Sequence, residues 1–144
     1  MSEKAVLRGV STVRFQASDH AAARAWYTGL LGIEPYFNRP GYCEFRLGDY
    51  QQELGIVDSG FMARLGREEV NPPLQAPGGA VVYWHVDDLP ATLDHLLSLG
   101  AKQHEPVKDF GGFIVTTVID PFGNLLGIMY NPHYLEMLGA NSQS

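Results

Sequence analysis

The sequence predicts an α+β fold built from one unit written twice, each copy running strand, helix, then two or three strands. Three observations carry this reading. Two segments with alternating polar and apolar residues, 11–19 and 80–88, each end on an aspartate. Each aspartate opens a stretch with helical apolar spacing that closes on a glycine, Gly32 or Gly100. The tripeptide Leu-Gly-Ile then recurs late in each copy, at 54–56 and 126–128.

In the first copy, strand alternation sends Val13, Phe15 and Ala17 toward a helix layer and Thr12, Arg14 and Gln16 to the other face. The following helix repeats Ala22, Trp26 and Leu30 every four residues beside Ala23, Tyr27 and Leu31, which makes Trp26 a core residue. Asp19 is placed to accept hydrogen bonds from its first N–H groups, and Gly32 to take the left-handed turn past its end. Strands are expected at 42–47 and 53–57. In the first, Tyr42, Glu44 and Arg46 alternate with apolar Cys43, Phe45 and Leu47; in the second, Glu53, Gly55 and Val57 share a face.

Residues 59–79 hold three prolines and four glycines and read as a connector, with a mobile arm as the sharper alternative. The second copy sets Asp88 against Asp19, which pairs Val81 with Thr12, Tyr83 with Arg14 and His85 with Gln16. Val82, Trp84 and Val86 then face the helix layer. Its helix carries Leu89, Leu93, Leu96 and Leu97. Strands at 113–119 and 125–130 flank the turn Asp120-Pro-Phe-Gly-Asn, and 133–144 read as a tail with one short helix.

The 144 residues suit one domain, and 45% hydrophobic with 18% charged residues is ordinary for a globular chain. A net charge of −6 without a basic cluster excludes nucleic acid and anionic membrane as main partners. No apolar run approaches the ~20 residues of a spanning helix. The N-terminus lacks a signal-peptide core, and Cys43 is the only cysteine, so a reducing cytoplasm is expected. Cys43 itself reads as a small buried apolar residue.

The segments ASDHAAARAWYTGLLGIEPY and VDDLPATLDHLLSLGA, with DPFGNLLGI after the latter, resemble the vicinal-oxygen-chelate superfamily. That group includes glyoxalase I, bleomycin-resistance proteins and extradiol dioxygenases. The resemblance spans residues 9–132. It implies a single domain with a first βαβββ module at 9–58, a connector at 59–79, a second module at 80–132 and a tail at 133–144. It also implies two curved mixed sheets facing a central cavity, and a homodimer in which the connector would permit swapping.

Metal-dependent members carry ligands on the opening and closing strands of each module. The resemblance places those positions at Thr12, Val81, Gly55 and Gly127. A neutral hydroxyl, an isopropyl group and two glycines do not make a site for a divalent cation, so no metal and no cofactor are expected. A displaced site would have to draw on residues such as His85 and Glu53, and no pair has a strong metal-ligand spacing. The glycines are expected to open space instead.

The implied cavity wall holds Thr12, Arg14, Gln16, Glu53, Tyr83 and His85 beside apolar Val81, Leu125 and Met129, which suits a small organic ligand. Arg14 is a candidate fork for a ligand carboxylate, with an ion pair to Glu53 or Glu44 as its structural alternative. Tyr83 is a candidate for stacking or hydrogen bonding, and His85 for proton transfer. The expected function is metal-independent binding of a small organic or aromatic molecule, as in bleomycin resistance. The alternative is a glyoxalase-like lyase or isomerase using His85 with Glu53 or Tyr83 as acid and base, with or without a displaced metal.

Overall fold

A computed structural model of the chain describes residues 6–8, 10–60 and 80–142. It divides into two compact units, Met1–Glu68 and Glu69–Ser144. In the first unit, β1 (Thr12–Ala17), α1 (His20–Leu31), β2 (Phe37–Arg39), β3 (Tyr42–Leu47) and β4 (Gln52–Asp58) follow one another. The second unit holds β5 (Tyr83–His85), α2 (Leu89–Ser98), β6 (Lys102–Gln103), β7 (Lys108–Phe110), β8 (Phe113–Ile119), β9 (Leu125–Tyr130) and α3 (Pro132–Ser142).

The first sheet has the order β1-β4-β3-β2, with β1 parallel to β4 and the other pairs antiparallel. One face is apolar: Cys43, Phe45, Leu47, Leu54 and Ile56 are all buried, with Ala23 and Tyr27 of α1. Phe15 meets Tyr27 at 6.1 Å between ring centroids, which holds β1 against the helix. The half-buried Trp26 adds an edge contact to Tyr27 at 4.8 Å. Both ends of α1 are capped as expected. The Asp19 carboxylate accepts the Ala22 N–H at 3.1 Å. Gly32, at φ 71°, donates its N–H to Thr28 at 2.9 Å.

The second sheet runs β5-β9-β8-β6, and β7 also pairs with β8. Again the outer strand β5 is parallel to the closing strand, and the remaining pairs are antiparallel. Leu89, Leu93 and Leu96 of α2 are buried, as are Val118, Leu126 and Ile128 of the sheet. Asp88 caps α2 through the Ala91 N–H at 3.0 Å. The Asp120 turn closes on itself: one carboxylate oxygen accepts the N–H groups of Phe122 and Asn124 at 2.9 and 2.8 Å.

The structure departs from expectation in three places. Only Tyr83–His85 is strand where 80–88 was expected, although the Val82 carbonyl still accepts the Gly127 N–H and the Val86 N–H still donates to the Met129 carbonyl. Strands β2, β6 and β7 carry no apolar alternation that would mark them, because they are short and mostly exposed. The tail helix runs longer than read, over Pro132–Ser142. Residues 61–79, on which the connector and arm readings fall, lie outside the described residues. Among the described residues no helix is long and apolar enough to cross a membrane.

Candidate functional site

The non-helical face of the first sheet is set by register. Thr12, Arg14 and Gln16 of β1 lie opposite Glu53, Gly55 and Val57 of β4, and these lie opposite Arg46, Glu44 and Tyr42 of β3. Cross-strand partners point to the same side of a sheet. A row of polar and aromatic groups therefore gathers on one face while Cys43, Phe45 and Leu47 fill the other.

Glu44 is the centre of this face. One of its oxygens accepts the Tyr42 hydroxyl at 2.6 Å, and the other accepts the Tyr36 hydroxyl in a short contact. Tyr36 also reaches Glu53 at 3.4 Å, so one phenol stands between two carboxylates. Burial, and then the negative charge of Glu53, push the Glu44 carboxyl above the usual range, against the pull of Arg46. Burial is also the main reason the Tyr42 phenol is held above its ordinary value. The charge of Glu53 and the neighbouring Cys43 add to it, and Arg14 opposes them.

Glu53 is positioned by Thr12, whose hydroxyl donates to it at 2.7 Å, and by Arg46 at 3.8 Å. The arginine paired with Glu53 is thus Arg46 and not Arg14. Arg46 is the direct cross-strand partner of Glu53, whereas Arg14 is opposite a glycine. The Arg46 side chain is 52% exposed, so this pair contributes about 0.2–1 kcal/mol at most. Its guanidinium also lies 4.1 Å from the Tyr36 ring centroid. Arg14 is exposed and has no ion pair among the described residues. Beside the Arg46–Glu53 end of the face lies an open depression of about 430 Å³, lined in part by Val10, Ser11 and Tyr50.

On the second sheet Tyr83 lies opposite Gly127, and His85 opposite Met129. The two candidates have different surroundings. Tyr83 is 43% exposed, and its hydroxyl makes no hydrogen bond among the described residues. His85 has a side chain only 8% exposed. Its Nδ1 accepts the Asn131 backbone N–H at 3.1 Å, so the proton sits on Nε2, 3.0 Å from an Asp87 oxygen that accepts it. The ring is stacked on Tyr134 of α3, 4.8 Å away and 10° from parallel. Asn131 in turn caps α3, accepting the N–H groups of His133 and Tyr134 at 2.9 and 3.3 Å. Leu125 and Met129 are half-buried, as are Gln16 and Val81.

The two Leu-Gly-Ile glycines are covered, not open. A Cβ on Gly55 would collide with the hydroxyl end of Tyr42, with Cε1 and Cζ both at 2.9 Å. On Gly127 it would stand 2.6 Å from Cδ1 of Tyr83 and 2.9 Å from both Cγ and Cε1. The expectation of free space at these positions is corrected accordingly: each glycine makes room for a cross-strand tyrosine.

This geometry bears on the metal that the resemblance implies. Glutamate cannot replace either glycine without displacing a ring, Thr12 has given its hydroxyl to Glu53, and Val81 offers no donor. Among the described residues no group of three or more His, Cys, Asp and Glu side chains stands close enough to hold a metal ion. The residues at the four positions do not fit one.

Sequence reasoning missed Tyr36, the central place of Glu44, and the Asn131–Tyr134 dock of His85. The parity of Glu44 on β3 was a usable signal. The tyrosine covers were not legible, because both depend on register: Tyr83 stands directly opposite Gly127, and Tyr42 reaches Gly55 diagonally from beside Val57.

The Glyoxalase/Bleomycin resistance protein/Dioxygenase superfamily matches residues 9–128. Solved structures with the same fold include a glyoxalase-related enzyme from Fulvimarina pelagi, at 19% identity and a TM-score of 0.66, covering 88% of this chain and 90% of that one. A glyoxalase/bleomycin resistance protein/dioxygenase family enzyme from Burkholderia phytofirmans PsJN aligns at 14% identity and a TM-score of 0.69, covering 83% and 96%. A lactoylglutathione lyase from Agrobacterium tumefaciens aligns at 22% identity and a TM-score of 0.63, covering 85% and 93%. No curated protein matches the chain. With a family match over most of its length and a repeated strand–helix–sheet unit, the chain belongs to the Glyoxalase/Bleomycin resistance protein/Dioxygenase superfamily.

Proposed function

We propose that this chain is a metal-independent binding protein that sequesters a small organic molecule, as bleomycin-resistance proteins do, using aromatic and polar side chains on the non-helical sheet faces of its units. The observation that carries the reading is the pair of tyrosines seated on Gly55 and Gly127. They take the space a carboxylate ligand would need and leave aromatic surface in its place. Arg14 adds an exposed guanidinium suited to a carboxylate or other anionic oxygen on the ligand. Apolar surface with a few directed polar groups is what small-molecule sites use.

The acid–base alternative requires His85 to give up a bond, since both of its ring nitrogens are engaged. The test is native mass spectrometry of the purified chain after incubation with Zn²⁺, Ni²⁺, Mn²⁺ or Mg²⁺, beside a thermal-shift screen of aromatic acids. The expected result is no tightly held metal and a rise in melting temperature with particular acids, as mass action demands. One metal per chain, lost in Glu53→Gln or His85→Ala, would overturn the reading.

A further inference from the structure

The three distances at Gly127 define how Tyr83 lies. A point 2.6 Å from Cδ1 and equally far, at 2.9 Å, from both ring neighbours stands almost directly above Cδ1, not at the ring edge. The ring is therefore laid face-down on the glycine, with backbone behind it and one π face turned outward. Tyr42 sits differently, with its hydroxyl end over Gly55 and that hydroxyl spent on Glu44. Tyr83 keeps a free hydroxyl among the described residues and is 43% exposed.

A ring supported from behind loses little freedom when a second ring meets its open face. We infer that the outward face of Tyr83 is a stacking platform, and that the ligand presents a planar conjugated ring to it. The inference rests on the ligand-binding reading and narrows its ligand class. It assigns Tyr83 a specificity role through shape and π surface, with the hydroxyl secondary.

The experiment uses two probes with one carbon frame and one charge, 2-naphthoate and its saturated counterpart decahydro-2-naphthoate. With ¹³C-labelled tyrosine, the Tyr83 ring signals (assigned by their loss in Tyr83→Phe) should move upfield and saturate with 2-naphthoate. The saturated acid and the Tyr83→Leu variant should each weaken binding about 3- to 10-fold, while Tyr83→Phe holds it. If 2-naphthoate binds without moving those signals, or binds Tyr83→Leu equally well, the platform is wrong and the ligand-binding reading survives. Equal binding of the saturated acid also overturns the platform, since a merely apolar surface would explain it. If neither acid binds at millimolar concentration, both ideas are overturned.

Discussion

The ring of Tyr83 lies face-down on Gly127, its direct partner across the β5–β9 ladder. The contact couples two residues that strand propensity alone would treat separately. Glycine weakens a strand interior, and a cross-strand aromatic covering it restores packing.

That coupling is measurable. Gly127→Ala should cost about 1–3 kcal/mol by forcing the ring off its seat. In the Tyr83→Ala background the same change should cost little, because the obstacle is gone. Urea denaturation of the four proteins in the cycle reads the interaction. Equal costs in both backgrounds would show that the ring does not rest on the glycine.

Tyr42 should titrate late. Burial, with Glu53 and Cys43, holds its phenol above the ordinary range. A raised folded value favours the neutral phenol in the folded chain. Its contribution is complete below the unfolded pKa and is lost as pH rises through the folded one. Difference absorbance of phenolate, wild type against Tyr42→Phe, should assign the missing transition to the late end of the alkaline titration.

Glu44 has the same sign in a lower window. Its carboxyl is raised by burial and by Glu53, so its stabilising contribution is complete below the unfolded glutamate pKa and falls away as pH rises through the folded one. Wild type should therefore gain stability relative to Glu44→Gln as pH falls from about 7 to 4. Parallel stability curves for the two proteins would refute the shift.

His85→Ala should destabilise the second unit by about 2–4 kcal/mol, by orphaning the Asn131 N–H and removing the ring stacked on Tyr134. Hydrogen exchange should show the loss first in α3. If His85→Ala leaves α3 protection intact yet abolishes a measured turnover, the lyase reading gains and the structural account of His85 fails.

Much of the fold was legible. Alternation in β1 and β3, the capping aspartates and the Asp120 turn are local signals, and each appears where its pattern said. The short strands β2, β6 and β7 were not, because they bury no apolar face. The site was half legible. Parity put Arg14, Glu53 and Tyr83 on the right faces, but partner choice depends on register, which gave Glu53 to Arg46 and left Arg14 without an ion pair among the described residues.

By itself, then, the sequence determined the doubled unit, a matter of period, and the residues that stand at Thr12, Val81, Gly55 and Gly127, where the resemblance implies metal ligands and none of the four is a ligand type. Only the tertiary structure decided what fills the space above the two glycines. A glycine has no side chain to point anywhere, so what covers it is chosen by its neighbours. Tyr42 from one strand and Tyr83 from another take those places because register and ring reach bring them there.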